Sequence, residues 1–193
     1  MSTVADTLRT WAHHEVVADR RARTGIGVLA FVLATSFGAY VAVPLPLTPV
    51  PVTLQTLFVL LAGSVLGARA GAAAMAMYLA LGASGAPVFS FGGAGLPWLL
   101  GPTGGYLLAM PAAAYLVGAA VGRDAGWLRL VAGLALGTVT LYLGGVAQLL
   151  LLTGREPGAL LAVGVLPFLV GDVAKILAAT LLTRSVRTTS LGR

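Results

Sequence analysis

The 193-residue chain has no cysteine, two histidines and only 9% charged residues. Without cysteine there is no disulfide framework, no thiolate nucleophile and no thiolate metal site. His13 and His14 stand side by side in a polar stretch with no spaced partner, so neither a metal site nor a cofactor is expected. The shortage of charge excludes more. An ordinary soluble domain carries roughly 25% charged residues and covers its surface with them. This chain is 58% hydrophobic before its 26 glycines are counted. A cytosolic enzyme and a nucleic-acid-binding domain are thereby ruled out as first readings, although a net charge of +6 would otherwise invite the second. Disorder fails too, because disordered chains are poor in aliphatic residues and rich in charge. The composition is that of an integral membrane protein, and one membrane domain is the simplest count.

What charge there is marks the ends. Residues 1–23 hold Asp6, Arg9, Glu15, Asp19, Arg20, Arg21 and Arg23 with no apolar run before them, so they are not a secretory signal. They read as a polar, amphipathic arm at the membrane surface that ends in a basic cluster. Residues 184–193 form a second basic tail. Between them, residues 24–183 contain only Arg69, Arg123, Asp124, Arg129, Arg155, Glu156, Asp172 and Lys175 as charges. A spanning helix needs about 20 mainly apolar residues. Six segments satisfy this, some roughly: 25–43, 53–68, 70–86, 103–122, 127–152 and 158–183. No strand-like alternation recurs, and hydrocarbon satisfies no backbone group, so the expected fold is an all-α, polytopic bundle of six transmembrane helices.

Six spans return the chain to its starting side. The arm, the Arg69 turn, the Arg123–Arg129 connection and the tail are each net positive and share that side. The opposite connections, 44–52, 84–102 and Arg155–Glu156, are uncharged or neutral. The positive-inside rule then predicts that both termini are cytoplasmic. The net charge is topology and attraction to an anionic leaflet, not a nucleic-acid signature.

Three stretches carry more specific information. Pro44, Pro46, Pro49 and Pro51 alternate with other residues, which predicts a stiff, polyproline-like connection. A helix is expected to follow from an N-cap at Thr53, with Gln55 in its first turn. Gln55 is then either a solvated amide beside a rigid turn or a polar group facing a cavity. Residues 82–106 include a long uncharged connection whose Phe89, Phe91 and Trp98 are too apolar to leave in water. A lid folded back over the membrane core is expected there, with a plain re-entrant loop as the alternative; its glycines match no phosphate-binding fingerprint. Finally, Asp172 and Lys175 are the only charges expected well inside a span, where each costs roughly 2.5–3.5 kcal/mol on insertion scales. Their i, i+3 spacing puts both on one helical face, where they either neutralise each other or share a polar ligand. Ala30, Ala34 and Gly38 add a stripe of small residues on the first helix, suited to close contact within the bundle or with another protein.

Four of these pieces, Pro44 to Thr56, Gly85-Ala-Pro-Val-Phe89, Gly101-Pro-Thr-Gly-Gly-Tyr106 and Gly171-Asp-Val-Ala-Lys175, together resemble the BioY family, in order and spacing, over about residues 25–183. The resemblance implies a biotin-specific S component, the substrate-binding membrane subunit of energy-coupling factor (ECF) vitamin transporters in prokaryotic cell membranes. It implies high-affinity biotin binding near the outer face and no ATPase activity of its own. The implied partners are a transmembrane coupling protein and two ATP-binding cassette ATPases, with toppling in the bilayer as the release step. Ala30 and Ala34 would dock the coupling protein. In the implied site Lys175 faces the ligand carboxylate and Asp172 accepts a ureido N–H. Gln55, Ser84 and Tyr106 supply further polar partners, and Phe89, Phe91 and Trp98 cover the apolar rings. Backbone N–H groups of the Gly101–Gly105 turn are a second candidate for the carboxylate. Alternatively, Asp172 and Lys175 pair with each other and the ligand lies beside them. The competing function is an ion-coupled secondary carrier for another small organic acid, which predicts inverted repeats or several intramembrane ionisable groups. An intramembrane enzyme is not expected, because the spans offer no cysteine, no histidine and no triad-like spacing.

Overall fold

Glycine and proline divide this apolar chain into its elements. The computed structural model describes residues 20–122 and 125–191. Helix α1 (Arg20–Tyr40) leads into a hairpin of β1 (Ala42–Leu45) and β2 (Thr48–Thr53). The four prolines therefore do not form the expected polyproline cap. The strands pair antiparallel with Val43 opposite Val52 and Leu45 opposite Thr48, and a register shift falls at Pro44. A two-stranded hairpin needs only alternate N–H groups for its ladder, so prolines at alternate positions are tolerated. The next helix, α2 (Gln55–Leu61), has Leu54 as its N-cap, without a side-chain cap bond. Thr53 does not cap it, because its hydroxyl donates to Gln55 Oε1 at 3.1 Å instead.

Helix α2 ends in a π-helical turn, Ala62–Leu66, and only Gly67 separates that turn from α3 (Ala68–Ala83). Gly67 has φ +85°, a conformation open to glycine and strained for other residues. The connection after α3 contains a 3-10 turn, Ser90–Gly92, and the short helix α4 (Leu96–Leu100). Helices α5 (Gly104–Ala120) and α6 (Trp127–Thr153) then form the most extensive helix pair. Glycines bring their backbones together: a Cβ on Gly144 would sit 2.6 Å from the Gly105 carbonyl oxygen.

The last apolar stretch is not one helix, contrary to expectation. It comprises α7 (Pro157–Gly164), a 3-10 turn (Leu166–Phe168) and α8 (Leu169–Leu191). Pro167 has no N–H and cannot continue the ladder, and Val165 leaves helical geometry at φ −130°. Helix α8 also runs through residues 184–191, so they continue the helix, just as residues 20–23 open α1. The remainder of the amino-terminal arm, with His13 and His14, lies outside the described residues.

The core includes Met75, Tyr78, Phe89, Leu60, Leu130 and Leu134, all fully buried. The outside is equally apolar: Leu33, Leu151 and Val170 are 69%, 86% and 84% exposed. Three segments are long and apolar enough to cross a membrane: Arg21–Tyr40, Trp127–Thr153 and Pro157–Arg187. Gln55–Leu66, Ala68–Ala83 and Gly104–Ala120 are shorter apolar helices.

The connections sort to two ends. At one, the Arg187 guanidinium donates to Ser64 O at 2.9 Å and to Gly122 O at 3.1 Å, tying α8 to the π turn and to the α5–α6 connection. Arg129 donates to Ala120 O at 2.8 Å, and the Arg184 guanidinium lies 5.3 Å from the Trp127 ring centre at this same end. At the other end, next to the hairpin, the last residue of α1 reaches the α3–α5 connection: Tyr40 OH donates to Pro87 O at 2.5 Å.

Candidate functional site

A cavity of about 560 Å³, counting the space continuous with its mouth, opens at the hairpin end. Val50, Pro51 and Thr53 of the hairpin form one wall with Gln55 and Thr56 from the first turn of α2. Tyr106, Leu107 and Met110 come from α5, and Leu141 and Tyr142 from α6. Phe168, Asp172 and Lys175 stand at the start of α8, and Ser90 and Thr103 complete the ring. The lining is apolar with a few convergent polar groups, the usual make-up of a small-molecule site.

Its charged floor follows from the break in the last apolar stretch. Because α8 starts at Leu169, Asp172 falls in the first turn of a helix, where the dipole favours a carboxylate. Lys175 Nζ donates to Asp172 Oδ1 at 2.7 Å, and Tyr142 OH donates to Oδ2 at 2.6 Å. Thr56 Oγ1 stands 3.5 Å from Oδ1. Asp172 and Lys175 are 5% and 9% exposed, so the pair is desolvated and self-neutralising.

Gln55 is buried and not solvated. Its Nε2 donates to Tyr78 OH at 2.5 Å, and its Oε1 accepts from Ser90 at 3.3 Å as well as from Thr53. Tyr78 OH donates onward to Val88 O at 2.9 Å. One amide thus links the hairpin, α3 and the α3–α5 connection.

Tyr106 forms the side of the cavity next to the helix break. Phe168 N–H bonds Val165 O at 3.0 Å, which takes it away from the Gly164 carbonyl it would meet in a regular helix. Gly164 O instead accepts from Tyr106 OH at 2.5 Å. The Tyr106 ring lies against Gly145, where any Cβ would overlap it, and meets the Phe168 ring edge-on at 6.3 Å.

The other expected site residues lie elsewhere. Ser84 is exposed, and its hydroxyl donates to Leu81 O at 2.8 Å at the end of α3. Phe89 is fully buried and plugs the space left by Gly82, edge-on to Tyr78 at 5.6 Å. Trp98 covers Gly93, and its Nε1 is the one buried side-chain N or O without a partner among the described residues. Phe91 is 58% exposed. None of these four lines the cavity. The Gly101–Gly105 turn contributes Thr103 to the wall, but Gly104 N–H is bonded to Gly101 O at 3.0 Å. Gln148 of α6 holds this corner by donating to Leu99 O at 2.9 Å and Gly101 O at 2.7 Å. The small-residue stripe of α1 divides: Gly38 is buried against Phe58 and the start of α2, whereas Ala30 is exposed and Ala34 half-buried. Sequence reasoning missed Tyr142, Thr56, Ser90 and Tyr78. A tyrosine within a long apolar helix was an available signal, since a buried phenol needs a partner.

Comparison with known proteins agrees on one family. The model of the BioY family matches residues 10–191. The chain is 40% identical over 160 residues to the probable biotin transporter BioY of Pyrococcus horikoshii, covering 83% of this chain and 93% of that one. It is 34% identical over 156 residues to the biotin transporter BioY of Thermotoga maritima, covering 81% and 90%. Its fold is similar to a crystal structure of the S component for biotin from an ECF-type ABC transporter, with TM-score 0.80, 23% identity and coverage of 88% and 93%.

Proposed function

The chain belongs to the BioY family, and from that premise we propose that it binds biotin in the cavity at the hairpin end and serves as the substrate-binding S component of an ECF transporter. It is a transporter subunit, not an enzyme. The observation that carries the reading is the desolvated Asp172–Lys175 pair, braced by Tyr142, on the wall of a mainly apolar cavity. A neutral pair of this kind suits a neutral group that both donates and accepts. Each Asp172 oxygen keeps lone-pair capacity for a ureido N–H, and Lys175 has two further protons for the ureido carbonyl. A carboxylate at the same place would leave a net negative charge buried. The arrangement therefore supports the alternative in which Asp172 and Lys175 pair and the ligand lies against both. Gln55 and Tyr106 remain assigned to the polar rim, joined by Ser90.

The same reading makes α1, α2 with its π turn, α3, α5, α6 and the broken α7–α8 unit the six spans. The end that carries Arg69, Arg129, Arg184 and Arg187 faces the cytoplasm, with both termini, in a prokaryotic cell membrane. The connection 84–102 acts as the lid; Ser84, Phe91 and Trp98 reach the ligand only on its closure, while Phe89 anchors it. The exposed Ala30 and half-buried Ala34 form the docking strip for a coupling protein, itself joined to two ATP-binding cassette ATPases. Only Asp172 and Lys175 are charged among the described residues of the cavity wall, which gives no support to an ion-coupled carrier.

The test is ligand binding by the purified protein in detergent. Biotin is expected to co-purify or to bind on titration, and Asp172→Asn or Lys175→Ala to weaken it at least about tenfold, the loss of one charge-assisted bond. Folded protein that fails to bind biotin overturns the reading, and an unchanged affinity in both variants removes the pair from the site.

A further inference from the structure

We propose, on the biotin reading above, that the cavity does not read the ligand's carboxylate with a cation, so that biotin esters and amides are ligands as well as free biotin. The charge inventory of the cavity carries this inference. Among the described residues of the wall, Asp172 and Lys175 alone carry charge. Lys175 is already neutralised by Asp172 at 2.7 Å, and the two occupy the buried floor.

Everything else that frames the mouth among the described residues is uncharged. Strands β1 and β2 contain no ionisable residue, and neither does the connection 84–102. The polar groups there are neutral: the Thr53 and Ser90 hydroxyls donate to Gln55 Oε1, which leaves the Thr103 hydroxyl and the second N–H of the Gln55 amide as donors. Hydroxyl and amide donors bond an ester or amide carbonyl as readily as a carboxylate, without the added attraction of opposite charge. A carboxylate drawn inside would lose hydration with no counter-ion to replace it. With the ring system against Asp172 and Lys175, the acid end of the valeryl chain therefore lies towards the open mouth, in water. Masking its charge costs little there. The nearest basic residue along the chain on this side is Arg155, exposed in the α6–α7 connection beside Glu156 and not part of the wall.

The experiment varies the ligand and leaves the protein intact. The purified full-length chain is titrated calorimetrically with biotin, biotin methyl ester and biotinamide. The expected result is that all three bind, the ester and the amide within about tenfold of biotin; a charge-assisted bond to the carboxylate would be worth more than that ratio. Biotin bound with an ester or amide weaker than about tenfold overturns the inference while leaving the biotin reading standing. In that case R155Q tests the exposed cation: loss of the preference assigns the carboxylate to Arg155, and retention assigns it to Lys175 or to the backbone N–H groups of the Gly101–Gly105 turn. Absence of binding by all three ligands to folded protein overturns the biotin reading itself.

Discussion

At the scale of single residues, the carboxylate of Asp172 is held by groups from two helices. Lys175, one helical turn away, neutralises it, and Tyr142 of α6 fixes its other oxygen at 2.6 Å. The Lys175 contact is local and was legible in the i, i+3 spacing. The Tyr142 contact was not, because the two residues are 30 positions and a helix break apart. Tyr142→Phe deletes one hydroxyl and little else. It is expected to weaken biotin binding about tenfold or more, the value of a hydrogen bond to a charged group. In an Asp172→Asn background the same change is expected to add almost nothing, and additive losses in that double-mutant cycle would show that Tyr142 acts on the ligand independently of Asp172. Gln55 was legible as a polar group at the mouth, but its bonds to Tyr78 and Ser90 depend on how α3 and the following connection fold over it.

At the scale of elements, the break between α7 and α8 shapes the site. Pro167 announces it in the sequence, yet a proline does not by itself end an apolar helix: Pro111 sits inside α5 without interrupting it. Tertiary contacts decide the difference, with Tyr106 accepting the task of satisfying Gly164 O. Gly145→Ala places a methyl group in the Tyr106 ring, so the expected outcome is a loss of about 1–3 kcal/mol, read as a lower Tm, together with weaker biotin binding. Gly171 is the contrast, since nothing lies within 4 Å of a Cβ built there. Gly171→Ala is expected to leave Tm unchanged or to raise it by the helix-propensity gain of up to about 1 kcal/mol. Equal destabilisation by both would mean that Tyr106 does not occupy the slot described. The hairpin illustrates the opposite kind of misreading. Alternating prolines specify extended backbone in either case, and only the packing of Leu45, Val50 and Val52 against Leu149, Leu160 and Phe168 selects a paired hairpin.

At the scale of the whole molecule, the sorting of charge along the chain coincides with the sorting of connections in space. Arg187 joins Ser64 and Gly122 at the basic end, while the uncharged hairpin and the 84–102 connection are linked through Gln55 at the other. The absence of cysteine makes the resulting orientation directly measurable. Single cysteines at Leu47 in the hairpin turn and at Gly126 in the α5–α6 connection are both exposed. In intact cells a membrane-impermeant maleimide is expected to label Leu47→Cys, and to label Gly126→Cys only after the membrane is opened. The reverse pattern would invert the proposed topology.

Sequence alone determined the quantities that depend on composition and local spacing. Scarce, asymmetrically placed charge dictates a membrane bundle, because hydrocarbon admits few ions and requires backbone groups to be satisfied within helices. The i, i+3 spacing of Asp172 and Lys175 places both on one face, and the structure decided that they pair with each other. The tertiary structure decided which polar groups surround that pair, since Tyr142, Thr56 and Ser90 reach the cavity only through helix packing. It also decided that Phe89 plugs a glycine-lined space and does not line the cavity, because the room left by Gly82 exists only once α3 and its following connection are folded together.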